Sequence, residues 1–123
     1  MERILAIGGG GSQVETETSP IGDYILQLTG KTKPRICLIS TTSGDRPKYI
    51  ESFYAAFTRR CCEPSHLAFF FRETRPGAVA LASLKNHLLT QDVIFVSGVN
   101  ARAAIAVWRE WNVDRVFAEV RSA

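Results

Sequence analysis

The sequence is short of features that would announce a function. It has only three cysteines, Cys37, Cys61 and Cys62. An odd count without a secretory leader predicts reduced thiols and a cytoplasmic location. Adjacent cysteines do not match zinc-ligand spacing, so no metal site is expected. No apolar run approaches the roughly 20 residues of a membrane span, so no membrane role is expected. The surplus of basic over acidic residues is only +3 and forms no run, which argues against nucleic acid. Arg59-Arg60, the nearest approach to a run, reads as the end of a helix, where cations suit the dipole. There are two histidines, His66 and His87, and no G-x-S-x-G anywhere in the chain.

What is present is the balance of a single globular domain: 123 residues, 46% hydrophobic and 22% charged. Residues 1–123 read as one unit, without repeat, low-complexity stretch or interdomain linker. Ile4-Leu5-Ala6-Ile7 is a short apolar run closed by Gly8 to Gly11, the pattern of a strand buried on both faces. Ser19-Pro20 supplies a helix start, Ile21, Tyr24, Ile25 and Leu28 follow at helical spacing, and Gly30 supplies a stop. Ile36 to Ile39 is a second buried strand, ending in the polar turn Ser40 to Asp45. Tyr49, Ile50, Phe53, Tyr54 and Phe57 make the apolar stripe of a helix.

The pattern continues in the second half. Leu67 to Phe71 predicts a strand, Val79 to Leu88 a helix, and Val93 to Val96 a fourth buried strand. Ala101 to Trp111 predicts a helix capped by Asn112, and Val113 begins another. Trp108 and Trp111, three apart, share a helical face and are expected to pack on the sheet. Strands alternating with helices predict a three-layer, mostly parallel α/β sheet flanked by helices. Ligands then bind beyond the carboxyl ends of the strands. Three segments qualify: Gly8 to Ser12, Ser40 to Asp45 and Ser97 to Asn100.

These segments, taken in order, resemble peptidase family S51, the peptidase E-like serine hydrolases. Met1 to Gly11 resembles the family's opening strand and glycine loop, and Asp23 to Gly30 its first helix. Ser40-Thr41-Thr42-Ser43-Gly44-Asp45 is similar to the turn usually written P-T-A-S-G-D. Cys62 to Leu67 resembles the segment entering the third strand. Gln91 to Asn100 resembles the fourth strand and its G-G-G-N turn, and Ala106 to Trp111 the helix that follows. The resemblance implies a flavodoxin-like fold related to class I glutamine amidotransferases, and hydrolysis of peptides, typically after an N-terminal aspartate.

The resemblance also assigns residues. Gly98 matches the position whose backbone N–H enters the oxyanion hole, and Asn100 matches an asparagine that fixes that loop. Ser97 and Val99 stand where the family has glycines, and a β-branched valine resists positive φ. Gly9, Gly10, Ser43 and Asp45 are candidate pocket-lining residues. The family's nucleophile, a serine in a G-x-S-A-G turn after the fifth strand, has no counterpart here, nor do its histidine and acid. No catalytic residue is therefore assigned, and no cofactor is expected.

Both histidines read as structural. A Cys–His pair from Cys61 or Cys62 with His66 has no sign of thiol activation. Three functions remain open: an inactive fragment or pseudoenzyme, one half of a split hydrolase completed by another chain, and a small-ligand binding module using the glycine loops. An uncovered sheet edge would serve either a complementing chain or self-association.

Overall fold

The computed structural model describes residues 3–6, 20–70, 77–96 and 101–122. The elements, in chain order, are α1 (Pro20–Gln27), β1 (Arg35–Ile39), a 3-10 turn (Thr41–Ser43), α2 (Pro47–Phe57) and β2 (Glu63–Leu67). They continue with β3 (Ala78–Val79), a second 3-10 turn (Leu81–Ser83), α3 (Leu84–Leu89), β4 (Val93–Val96), α4 (Ala101–Glu110) and α5 (Val113–Ser122). The strands form one sheet in the order β3-β2-β1-β4, and every described pairing is parallel. This is the expected α/β architecture.

β1 is central because it is apolar on both faces. Ile36 and Leu38 point to one side, Cys37 and Ile39 to the other, as the period of a strand requires. The first pair joins Ile50, Phe53, Ala56, Phe57 and Cys62, with Leu26 of α1 against them. The second pair joins Leu67, Leu84, Leu88, Val113 and Val116, under α3 and α5. Phe53 centres the first cluster, its ring within contact range of Tyr54, Phe57 and Phe95. Complete burial of such a ring contributes about 1.5–3 kcal/mol.

The helix ends follow local chemistry. Gly30 (φ +68) and Asn112 (φ 57) adopt the left-handed conformation after α1 and α4, the roles their sequence positions suggest. Arg60 folds back on α2: its guanidinium reaches the Ala56 carbonyl, Asp23 Oδ1 at 2.9 Å, and the Phe57 ring. A Cβ at Gly22 would lie 2.8 Å from the Arg60 Cζ, so a larger residue there would displace the guanidinium. Helix-end chemistry thus ties α1 to α2.

Three elements differ from the sequence expectation. Arg3 to Ala6 form no strand, and Ile4 and Leu5 are 77% and 45% exposed. Both edges of β1 are already occupied, by β2 and β4, which leaves no central position for the N-terminal run. Ile7 lies outside the described residues. The third strand is Glu63–Leu67 rather than one beginning at Leu67. Its polar residues are tolerated inside because each has a partner: Ser65 reaches His87, and His66 reaches Tyr54. Val79 belongs to β3, and the helix expected from there begins at Leu84 after a 3-10 turn.

Candidate functional site

The carboxyl ends of β1, β2 and β4 share one edge, since the three strands are parallel. Of the three candidate segments at that edge, Ser40 to Asp45 is described. Gly9 and Gly10, and the whole of Ser97, Gly98, Val99 and Asn100, lie outside the described residues.

The β1-end turn is built tightly. Gly44 N–H bonds Thr41 O at 2.9 Å, and Asp45 N–H bonds Ser40 O at 3.1 Å. Closing the turn this way places Gly44 at φ 71 and Asp45 at φ 57, two successive left-handed residues. Glycine adopts that conformation freely, and aspartate tolerates it better than most side chains. Ser43 ends the 3-10 turn.

Asp45 is only 2% exposed. Its Oδ2 accepts the backbone N–H groups of Phe69 at 2.5 Å and Phe70 at 2.7 Å. Among the described residues its Oδ1 is buried without a hydrogen-bond partner. Burial pushes the carboxyl above the usual aspartate range, and the Phe70 and Phe69 bonds only partly oppose it. The group thus clamps the loop after β2 to the turn after β1. Sequence reasoning marked Asp45 as a pocket residue. Its two backbone partners lie 24 and 25 positions away and carry no sequence signal.

A second contact reaches the same turn. Trp108 Nε1–H donates to Thr41 Oγ1 at 2.9 Å, and the indole meets the Phe117 ring edge-on. α4 makes its main contacts with the Thr41–Ser43 turn and with α5. Trp108 therefore anchors α4 at the carboxyl edge. Trp111, expected in the core, is largely exposed and approaches Phe69.

Both histidines are engaged. His66 is buried, with Nδ1 at 2.5 Å from Tyr54 Oη. His87 Nε2 is 2.8 Å from Ser65 Oγ, a serine–histidine pair that the sequence did not reveal. Ser65 sits in mid-strand, buried, with its Oγ also 3.4 Å from the Ile36 carbonyl. A nucleophile must be reachable by its substrate, so this pair reads as a clamp between β2 and α3. Burial and Arg35 hold the His87 pKa below the usual imidazole value.

The two buried thiols are equally quiet. Burial pushes Cys37 up to about 12, and Cys62 donates to the Phe57 carbonyl. Among the described residues no group of three or more metal-ligating side chains occurs, and no helix is long and apolar enough to cross a membrane.

Comparison with known proteins places this edge in context. Residues 4–123 match Peptidase family S51. An "Uncharacterized peptidase YgaJ" of Bacillus subtilis (strain 168) is 39% identical over 119 residues, covering 97% of this chain and 49% of that protein. The chain thus spans about half the length of the curated relative it matches. No solved structure matches it. On the strength of the family match and of this identity, the chain belongs to peptidase family S51.

Proposed function

We propose that this chain carries the N-terminal side of a serine-type peptide hydrolase site and hydrolyses nothing by itself. In this reading the turn after β4 supplies the Gly98 backbone N–H to the oxyanion formed when a serine attacks a peptide carbonyl. Ser97 and Asn100 hold that turn. Such a donor can be worth about 3 kcal/mol of transition-state stabilisation. Gly9, Gly10 and Ser43 border the substrate at the same edge, and the buried Asp45 holds the turn behind them. An N-terminal aspartyl peptide is the substrate class, and the setting is cytoplasmic.

One observation carries the reading. The family match runs through residues 4–123, yet those residues contain no G-x-S-x-G turn. Oxyanion donors without a nucleophile and base do not make a triad enzyme. The described serine–histidine pair agrees with this: Ser65 is buried in mid-strand and half-buried His87 is its partner. The test is a fluorophosphonate probe, which labels activated serines. The purified chain should remain unlabelled. Stoichiometric labelling of any serine in it would overturn the proposal.

A further inference from the structure

The turn after β1 lies where ligands bind in a parallel sheet, beyond the carboxyl end of a strand. Connecting turns normally run over the surface. This one does not: Ser40 and Thr41 are each 1% exposed, and Thr42 and Asp45 are buried as well. The edge assigned to the substrate is therefore closed in this conformation. Among the described residues, two elements cover it. The loop after β2 is clasped by Asp45 through the Phe69 and Phe70 amides. Helix α4 follows β4 in the chain and meets the end of β1 through the Trp108 bond to Thr41. Trp111, just past its last turn, then approaches Phe69 beyond the end of β2. α4 thus runs past the carboxyl ends of the strands.

The two covers are not held equally. The loop is fixed by two backbone amides on one carboxyl oxygen, whereas Trp108 gives the Thr41 turn a single neutral bond. Bonds to a carboxylate are about twice as strong as neutral ones. Packing adds little to α4: Arg102, Ala103, Ile105, Ala106, Arg109 and Glu110 are all exposed. Ala104 is its one wholly buried side chain among those described, and it is small. By contrast, Val113 and Val116 of α5 sit in the core with Leu84 and Leu88. Exposed Asn112, at φ 57, stands between the two helices. A loosely seated helix joined through such a residue to a firmly seated one has the build of a hinged element.

We propose that α4 is a strap over the carboxyl edge, which lifts about Asn112 and breaks the Trp108–Thr41 bond to admit a peptide to the turn after β1. The strap deepens the proposed function, since it rests on the substrate lying at that edge. Lifting α4 leaves the sheet, α2, α3 and α5 in place, because the core clusters draw only Trp108 from α4.

The test places a thiol in the closed turn by Ser40→Cys, or by Thr42→Cys if the first variant does not fold. Its labelling by an aromatic disulfide reagent in the full 123-residue chain reads how often the turn is uncovered. Cys37, wholly buried in mid-β1, is the reference for global unfolding. The introduced thiol should react about tenfold faster than Cys37 and much slower than exposed Cys61, because local opening is more frequent than global unfolding. Its rate should barely respond to low urea, while that of Cys37 climbs, since a lifted helix exposes little surface. Trp108→Phe keeps a ring against Phe117 but loses the donor, and should speed the introduced thiol about fivefold. Ile50→Val, in the part that stays folded, should speed Cys37 alone. The strap is refuted if the introduced thiol matches Cys37 in rate and urea response, or reacts as fast as Cys61. It is equally refuted if Trp108→Phe leaves that rate unchanged, or if Ile50→Val raises it as much as that of Cys37. Any of these leaves the proposed function standing. Fluorophosphonate labelling of the chain would do the reverse.

Discussion

Replacing Asp45 tests whether the carboxyl-edge turn is held as described. The Asp45→Ala change removes two hydrogen bonds from a charged acceptor to the Phe69 and Phe70 amides. Together they are worth about 3–4 kcal/mol. Removing a buried carboxylate oxygen that lacks a partner returns about 1 kcal/mol. The net expectation is a loss of about 2–3 kcal/mol, read from urea unfolding. The Asp45→Gly variant makes the same cuts but relieves the left-handed backbone at φ 57, so it should be about 1 kcal/mol more stable than the alanine variant.

The pH dependence gives an independent reading of the same group. Because the folded pKa is raised, the folded state holds the proton longer than the unfolded state. Stability should therefore fall as pH rises from the unfolded aspartate value through the folded one, and be flat above it. Asp45→Asn should erase that slope. An alanine variant within about 0.5 kcal/mol of the parent, the usual range for an inert surface site, would refute the clamp. So would a glycine variant no better than the alanine one.

Other expectations follow from the same contacts. The lowered pKa of His87 makes the unfolded state bind protons first as pH falls below the ordinary imidazole value, so stability should drop there; His87→Gln should flatten that drop in pH-dependent melts. Of the three free thiols, Cys61 is exposed, whereas burial raises both Cys37 and Cys62. Titration with a disulfide reagent should show one fast thiol in the native chain and all of them in urea. Phe53→Ala should cost about 3–5 kcal/mol in chemical unfolding, because the ring is fully buried among other rings. Asn112→Val should lower the melting temperature, since a β-branched residue resists φ 57.

The fold was legible where the sequence is locally decisive. The apolar runs Ile36 to Ile39 and Val93 to Val96 both form the strands their composition predicts, the first buried and the second only half-buried, and Asn112 and Gly30 sit where a left-handed cap is needed. It was illegible where long-range partners decide. Nothing near Ser65 or His66 announces a strand; they enter one because Tyr54 and His87 satisfy them from other elements. Ile4 to Ala6 read as a strand by composition, but they pair with none of the described strands, and nothing local to the run decides that. At the candidate site, Ser40 to Asp45 could be placed from strand alternation alone. The role of Asp45 could not, because both its partners are backbone amides of a distant loop. Gly98 was identified through family resemblance, since a backbone donor leaves no mark on side-chain chemistry.

The most direct measurement is hydrolysis of an aspartyl dipeptide by the purified 123-residue chain, alone and co-expressed with the part of the Bacillus subtilis relative that lies outside the matched region. The expected result is no turnover by the chain alone and turnover once that part is present. Turnover by the chain alone would contradict the central claim. It would require a nucleophile among Ser40, Ser43, Ser97 or the cysteines.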